Sequence, residues 1–228
     1  MARKKEYKVV VTGAAPFKEY ERNPTQDVKD MLPTRIERNH RIPITIIKFP
    51  KDFRNVITDM DIIPKMWNGQ KRVYDEDCEE GDKIYIDAML HLGMNFDEYW
   101  QIERVARRDG YDWVGDDGVP LPKHNGGKGG RWEGLPEVLK PMFDIEHIDV
   151  PFKSSTDAGL LYCEFIFYTS LAALYTRDED SRVTFLHHAG KKIEPKDIKV
   201  GAQVAEAVIC SLIDQIEKNS TCQLRSLA

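Results

Sequence analysis

The chain has 228 residues, with 33 Lys and Arg against 38 Asp and Glu, a net charge of −5 and 41% hydrophobic residues. That length suffices to bury a full core, so residues 1–228 are expected to form a single domain. The acidic balance leaves no broad basic footprint for nucleic acid, and no apolar run approaches the length of a membrane span. The opening Met1-Ala2-Arg3-Lys4-Lys5-Glu6 lacks an apolar stretch and a small-residue cleavage site, which makes cytoplasm the expected location. The four cysteines, at 78, 163, 210 and 222, form no CxxC pair, as suits reduced thiols.

In chain order, strand and helix signals alternate, the mark of an α/β layered architecture. Tyr7 to Val11 reads as a strand ending at Gly13. A loop through Asn23-Pro24 leads to a helix over Thr25 to Leu32, and Ile42 to Phe49 is a second strand. Lys51 to Met66 is predicted helical, and Lys83 to Leu92 is the third strand. The segment Trp100 to Ala106 carries a carboxylate, Glu103, shortly after that strand.

Between Asp109 and Pro136 the pattern breaks, and eight of the 15 glycines fall there. A segment so long and irregular is expected to be a lid, a binding segment or a mobile insertion. Its string from Asn125 to Arg131 lacks the GK[ST] ending of a phosphate loop, so a plain loop is the favoured reading.

Ser155-Thr156-Asp157 reads as a capping cluster ahead of an apolar run to Leu174, predicting a helix from about Asp157 or Ala158 with Cys163 in its early turns. Exposed N–H groups and the helix dipole at such a position favour an anionic sulfur. The alternative is a cysteine that merely packs as a small apolar residue. Arg182 to His187 reads as a strand ending in histidine, and adjacent His188 is expected on the opposite face, as a rim or half-buried residue. The same alternation argues against the two histidines sharing a metal ion, and the chain calls for no cofactor. Pro195 to Lys218 is a core helix with Val200, Val204, Val208 and Leu212 along its stripe and Cys210 as a small packing residue.

Cys163, His187 and Glu103 together are the parts of a thiol triad: sulfur attacks a carbonyl, imidazole moves the proton and a carboxylate fixes the imidazole tautomer. The order Glu, Cys, His resembles the pyroglutamyl peptidase type I family of cysteine peptidases. Ser155 to Cys163 is similar to that family's S-x-[STAD]-A-G-x-[FY]-x-C string except at Leu161. Glu103-Arg104-Val105-Ala106 matches E-[KR]-x-A, and Phe185-Leu186-His187 matches the histidine strand, though not its V-P continuation. Thr12-Gly13-Ala14-Ala15-Pro16-Phe17 and Asn23-Pro24-Thr25 are similar to T-G-F-x-P-F and N-P-[ST]. The resemblance implies a three-layer α/β/α sandwich with a mixed, mostly parallel twisted sheet, catalysis by Cys163, His187 and Glu103, and a family that admits homo-oligomers.

The departures bear on substrate. The family's pyroglutamyl ring lies between two aromatic faces, and this chain has Ala14 and Leu161 at those positions, which removes the planar slot. Where the family carries an arginine near the developing oxyanion, the chain reads Gly93-Met94-Asn95-Phe96-Asp97-Glu98. Loss of one oxyanion donor costs on the order of a hundredfold in rate unless Arg104 or a backbone N–H takes its place. The expected substrate contacts are Gly13, Ala14, Phe17, Asn23, Asp97, Glu98 and Leu161, with a small molecule or peptide as ligand. Three readings stay open: a cysteine aminopeptidase of altered specificity, an acyltransferase or amide-forming enzyme whose Asp97 and Glu98 receive a cationic substrate, and a catalytically weak relative.

Overall fold

The computed structural model describes residues 6–16, 21, 23–95, 97, 99–124, 131–142, 152–188 and 195–226, except for the side chains of 195 and 221–226. Its elements in chain order are β1 (Tyr7–Thr12), α1 (Pro24–Met31), β2 (Arg35–Ile36), β3 (Ile44–Lys48), α2 (Val56–Trp67), a 3₁₀ turn (Lys71–Val73) and β4 (Ala88–Met94). There follow β5 (Trp100–Glu103), β6 (Ala106–Arg107), β7 (Val138–Leu139), β8 (Phe152–Ser155), α3 (Tyr162–Tyr175), β9 (Val183–His188) and α4 (Pro195–Ser226).

Seven strands form one sheet in the order β2-β3-β1-β4-β9-β5-β8, with β6 and β7 as a separate pair. The β3-β1-β4-β9 run and the β5-β8 pair are parallel, and the β2-β3 and β5-β9 contacts are antiparallel. This is the expected mixed, mostly parallel sheet. Side-chain alternation sends Val10, Met89, Val183 and Phe185 to one face with α2 and α3, and Val9, Val11, Leu90 and Leu186 to the other with α1 and α4. The result is the three-layer α/β/α sandwich.

Helix α3 is buried at every position from Glu164 to Leu174, so it has no solvent face. Its outer side is covered by the glycine-rich segment. Trp132 packs on Phe165 and Tyr168 with ring centroids 5.3 and 4.7 Å apart, Tyr111 meets Phe165 edge-on, and Leu121 is buried beside them. Segment 109–136 is thus anchored to the core through Tyr111, Leu121 and Trp132, with most of its other described residues exposed; residues 125–130 lie outside the described residues.

Several boundaries differ from the sequence reading. Helix α2 begins at Val56 rather than Lys51, and β4 begins at Ala88 rather than Lys83. Pro64 in the last turn of α2 has no N–H for the carbonyl of Met60, and the guanidinium of Arg131 supplies that hydrogen bond instead. Helix α4 runs eight residues past Lys218, and Val200, expected on its buried stripe, is 44% exposed. The rest of the expected stripe, Val204, Val208 and Leu212, is buried, and Ile198, Ala202, Ala205 and Ile209 widen it on the sheet side.

Candidate active site

Sheet register sets the site. Gly93 on β4 stands opposite His187 on β9, and Gln101 on β5 stands opposite His187 on its other side. Paired residues share a face, and so do residues two apart, so His187, Gly93 and Glu103 all face the α3 layer. The parallel strands β1, β4 and β9 end here, at the carboxyl edge where α/β sheets bind ligands.

Three groups meet on that face. His187 Nδ1 and Glu103 Oε1 are 2.7 Å apart, with both side chains buried. Cys163 lies at the same imidazole and acts on its protonation, and with Nδ1 turned to Glu103 the other ring nitrogen, Nε2, is the one that can take the thiol proton. Burial alone would lower the His187 pKa, but the hydrogen bonds to Cys163 and Glu103 outweigh it and raise the value to about 9. The second oxygen of Glu103, Oε2, is buried with no hydrogen-bond partner among the described residues, so the histidine is the group that balances this carboxylate.

Cys163 is the second residue of α3, but the cap differs from the sequence expectation. The helix begins at Tyr162, and Leu161 is its N-cap, with no side-chain capping bond. The reason lies in the turn before it. Asp157 spends its carboxylate on the Gly159 N–H and on Arg107, and Gly159, at φ +71°, redirects the chain. Ser155 closes β8 and accepts the Asp157 N–H. The consequence for sulfur is unchanged, because Cys163 still lies in the first turn with its dipole.

Cys163 and His187 open onto a cavity of about 310 Å³. Of the expected substrate contacts, Gly13, Ala14, Asn23, Asp97 and Leu161 line it; Phe17 and Glu98 lie outside the described residues. Asn23 caps α1 by accepting the Thr25 N–H and also donates to the Ala15 carbonyl, which pins the Thr12–Pro16 segment as one wall. Asp97 is exposed at the rim and accepts a hydrogen bond from Gln101.

The cavity keeps aromatic character from positions the sequence reading did not single out. Phe53 forms a parallel bridge with Ala14, stacks on Phe49 at 5.2 Å and lines the wall that Ala14 leaves bare. Trp113 and Arg54 stand at the mouth, and Arg54 reaches Asp116. A single aromatic residue in an irregular stretch after a strand carries no sequence signal of this role. His188 is also corrected: it is 1% exposed on the opposite face, packed on Trp100 with ring centroids 4.2 Å apart and planes tilted by 60°, and is no rim residue. Neutral His91, its pKa lowered to about 3 by burial, bridges the Thr12 and Ser170 hydroxyls at 2.7 Å each on the cavity floor.

No protein-family model and no curated protein matches the sequence. Solved structures do match. The pyrrolidone carboxyl peptidase from Thermococcus litoralis is 16% identical with a TM-score of 0.69, covering 93% of this chain and 96% of that one. A single-site variant of the Pyrococcus furiosus enzyme is 17% identical with a TM-score of 0.68, covering 92% and 99%. The Thermus thermophilus enzyme is 22% identical with a TM-score of 0.58, covering 89% and 99%. Over nearly its whole length, the chain has the fold of the pyrrolidone carboxyl, or pyroglutamyl, peptidases in a form of widely divergent sequence.

Proposed function

We propose that the protein is a cysteine hydrolase that cleaves an amide through an acyl-cysteine, with a specificity that differs from that of a plain pyroglutamyl peptidase. The observation that carries this reading is the grouping of Cys163 with the hydrogen-bonded His187–Glu103 pair on the wall of an aromatic-lined cavity. Cys163 sulfur, its proton held by His187, bonds to the carbonyl carbon; the tetrahedral oxyanion collapses, the C–N bond breaks and His187 Nε2–H protonates the leaving amine. Water then attacks the thioester, giving its proton to His187, and the acid leaves as sulfur takes the proton back.

Altered specificity rests on Ala14 and Leu161 in the cavity wall, where two aromatic faces would hold a lactam, and on Phe53 entering from another strand end. An acyl group bulkier than pyroglutamate fits such a wall. Asp97 at the rim favours a second reading, transfer of the acyl group to a cationic amine rather than to water. The test is incubation with a pyroglutamyl aminomethylcoumarin amide and, in parallel, with hexanoyl and phenylacetyl p-nitrophenyl esters, with and without an added amine. The proposal expects an acyl adduct on Cys163 by intact mass and ester turnover well above pyroglutamyl amide turnover. An amide product with the added amine selects transfer, and absence of any adduct on Cys163 refutes both readings.

A further inference from the structure

Glu164 follows the nucleophile directly, its side chain is 0% exposed, and the triad does not use it. Its carboxylate is held from one side by a single residue. Arg107 donates through Nε to Oε1 at 2.7 Å and through Nη2 to Oε2 at 2.7 Å, and its own backbone N–H donates to Oε1 at 2.9 Å. The same Nη2 reaches Asp157 at 2.5 Å, in the turn that leads into α3. Tyr111 in turn donates to the Arg107 carbonyl. Arg107 thus joins β6, the turn before the cysteine, the first turn of α3 and the segment that covers α3.

The chain order adds a second point. Glu103, which orients His187, and Arg107, which holds Glu164, are four residues apart on one short segment, so one piece of backbone fixes both the base and the nucleophile's helix. A buried carboxylate in the same helical turn as a sulfur that must become an anion works against that anion through the low-dielectric interior unless a cation balances it.

We propose that Arg107 is a positioning residue for Cys163: through Glu164 and Asp157 it fixes the first turn of α3 against the His187 base, and it cancels the buried Glu164 charge in the helical turn that carries the sulfur. The proposal rests on the thiol-hydrolase reading above, but its readout, the pH profile of cysteine alkylation, needs no turnover. Iodoacetamide labelling of Cys163, followed by mass spectrometry from pH 5 to 10, is compared in the wild type, Arg107→Met, Arg107→Lys, Glu164→Gln and the double variant Arg107→Met with Glu164→Gln.

Arg107→Met should move the alkylation midpoint up by about one pH unit, up to a tenfold slower reaction at pH values below the wild-type midpoint. Arg107→Lys should recover most of that loss, and the double variant should return to within about threefold of wild type. Glu164→Gln, which keeps the cation and removes the anion, should move the midpoint down; this arm decides the matter if Arg107→Met does not fold. An unchanged midpoint in Glu164→Gln, or a double variant as slow as Arg107→Met, overturns the proposal. Failure of the hydrolase reading looks different: alkylation midpoints shift among the variants as expected while no acyl adduct forms on wild-type Cys163.

Discussion

Gly93 and His187 are partners in the β4–β9 ladder, and the missing side chain at Gly93 is what makes room for the nucleophile. A Cβ there would stand 2.7 Å from Phe185 Cζ and 2.9 Å from Cys163 Sγ, closer than real Cβ atoms approach. The glycine is thus required by contact across the sheet face, at a point where the strand itself would accept any small residue.

Gly93→Ala is therefore expected to displace the thiol or the Phe185 ring rather than to disturb the sheet. Overpacking of this kind costs about 1 to 3 kcal/mol, and a shift of sulfur by a fraction of an ångström to about 1 Å costs up to about a hundredfold in rate. Urea unfolding and Cys163 alkylation should show a small stability loss beside a large loss of reactivity. Wild-type reactivity in a folded Gly93→Ala protein would contradict the packing argument.

The His187–Glu103 pair predicts a pH dependence. The folded-state pKa of about 9 lies above the ordinary 6.5, so the protonated ring is favoured by folding. That contribution is fully present below about pH 6.5 and is lost as pH rises through about 9. Imidazole NMR should show His187 protonated at neutral pH, with a titration near 9 that moves down in Glu103→Gln. A His187 already neutral at pH 7 would contradict it.

Trp132 tests the role of the glycine-rich segment. It is 2% exposed and covers Phe165 and Tyr168, so Trp132→Ala should destabilise the protein by about 3 to 5 kcal/mol. A dispensable lid would show the opposite, a loss of turnover with an unchanged unfolding midpoint. Calorimetry or urea titration separates the two.

What the sequence disclosed and what it concealed divide along physical lines. Val9 and Val10 send consecutive side chains to different layers, so β1 and β4 carry nearly continuous apolar runs, and β9 is marked by its β-branched and aromatic start, Val183 to Phe185. Strand β8, with Lys153 and Ser154 exposed, is a polar edge strand, and its Ser155, which in sequence looks like part of a helix cap, closes the strand instead. The roles of Cys163, His187 and Glu103 were legible because chemistry restricts which residue types can fill them. Phe53, Gly93 and Arg107 were not, because their importance comes from contacts with residues far away in the chain.

Asp59 gives the last prediction. It is 3% exposed, and its Oδ2 accepts both the Tyr162 hydroxyl at 2.7 Å and the Asn55 N–H at 2.9 Å. Burial raises its pKa to about 6 against the pull of those hydrogen bonds. A raised acid pKa means the folded state holds the proton more tightly, so stability is greatest below about 3.8 and falls as pH rises through about 6. Asp59→Asn keeps one carbonyl oxygen able to accept both bonds and removes the charge. It should therefore be more stable than wild type by about 1 to 3 kcal/mol at pH 7, equal to it near pH 4, and flat between. Because Tyr162 directly precedes Cys163, the same variant should leave alkylation of the thiol largely intact if the Tyr162 hydrogen bond survives. Urea midpoints measured from pH 4 to 8 check the first point, and an Asn variant less stable at pH 7 would show that the Asp59 charge is balanced by its surroundings after all.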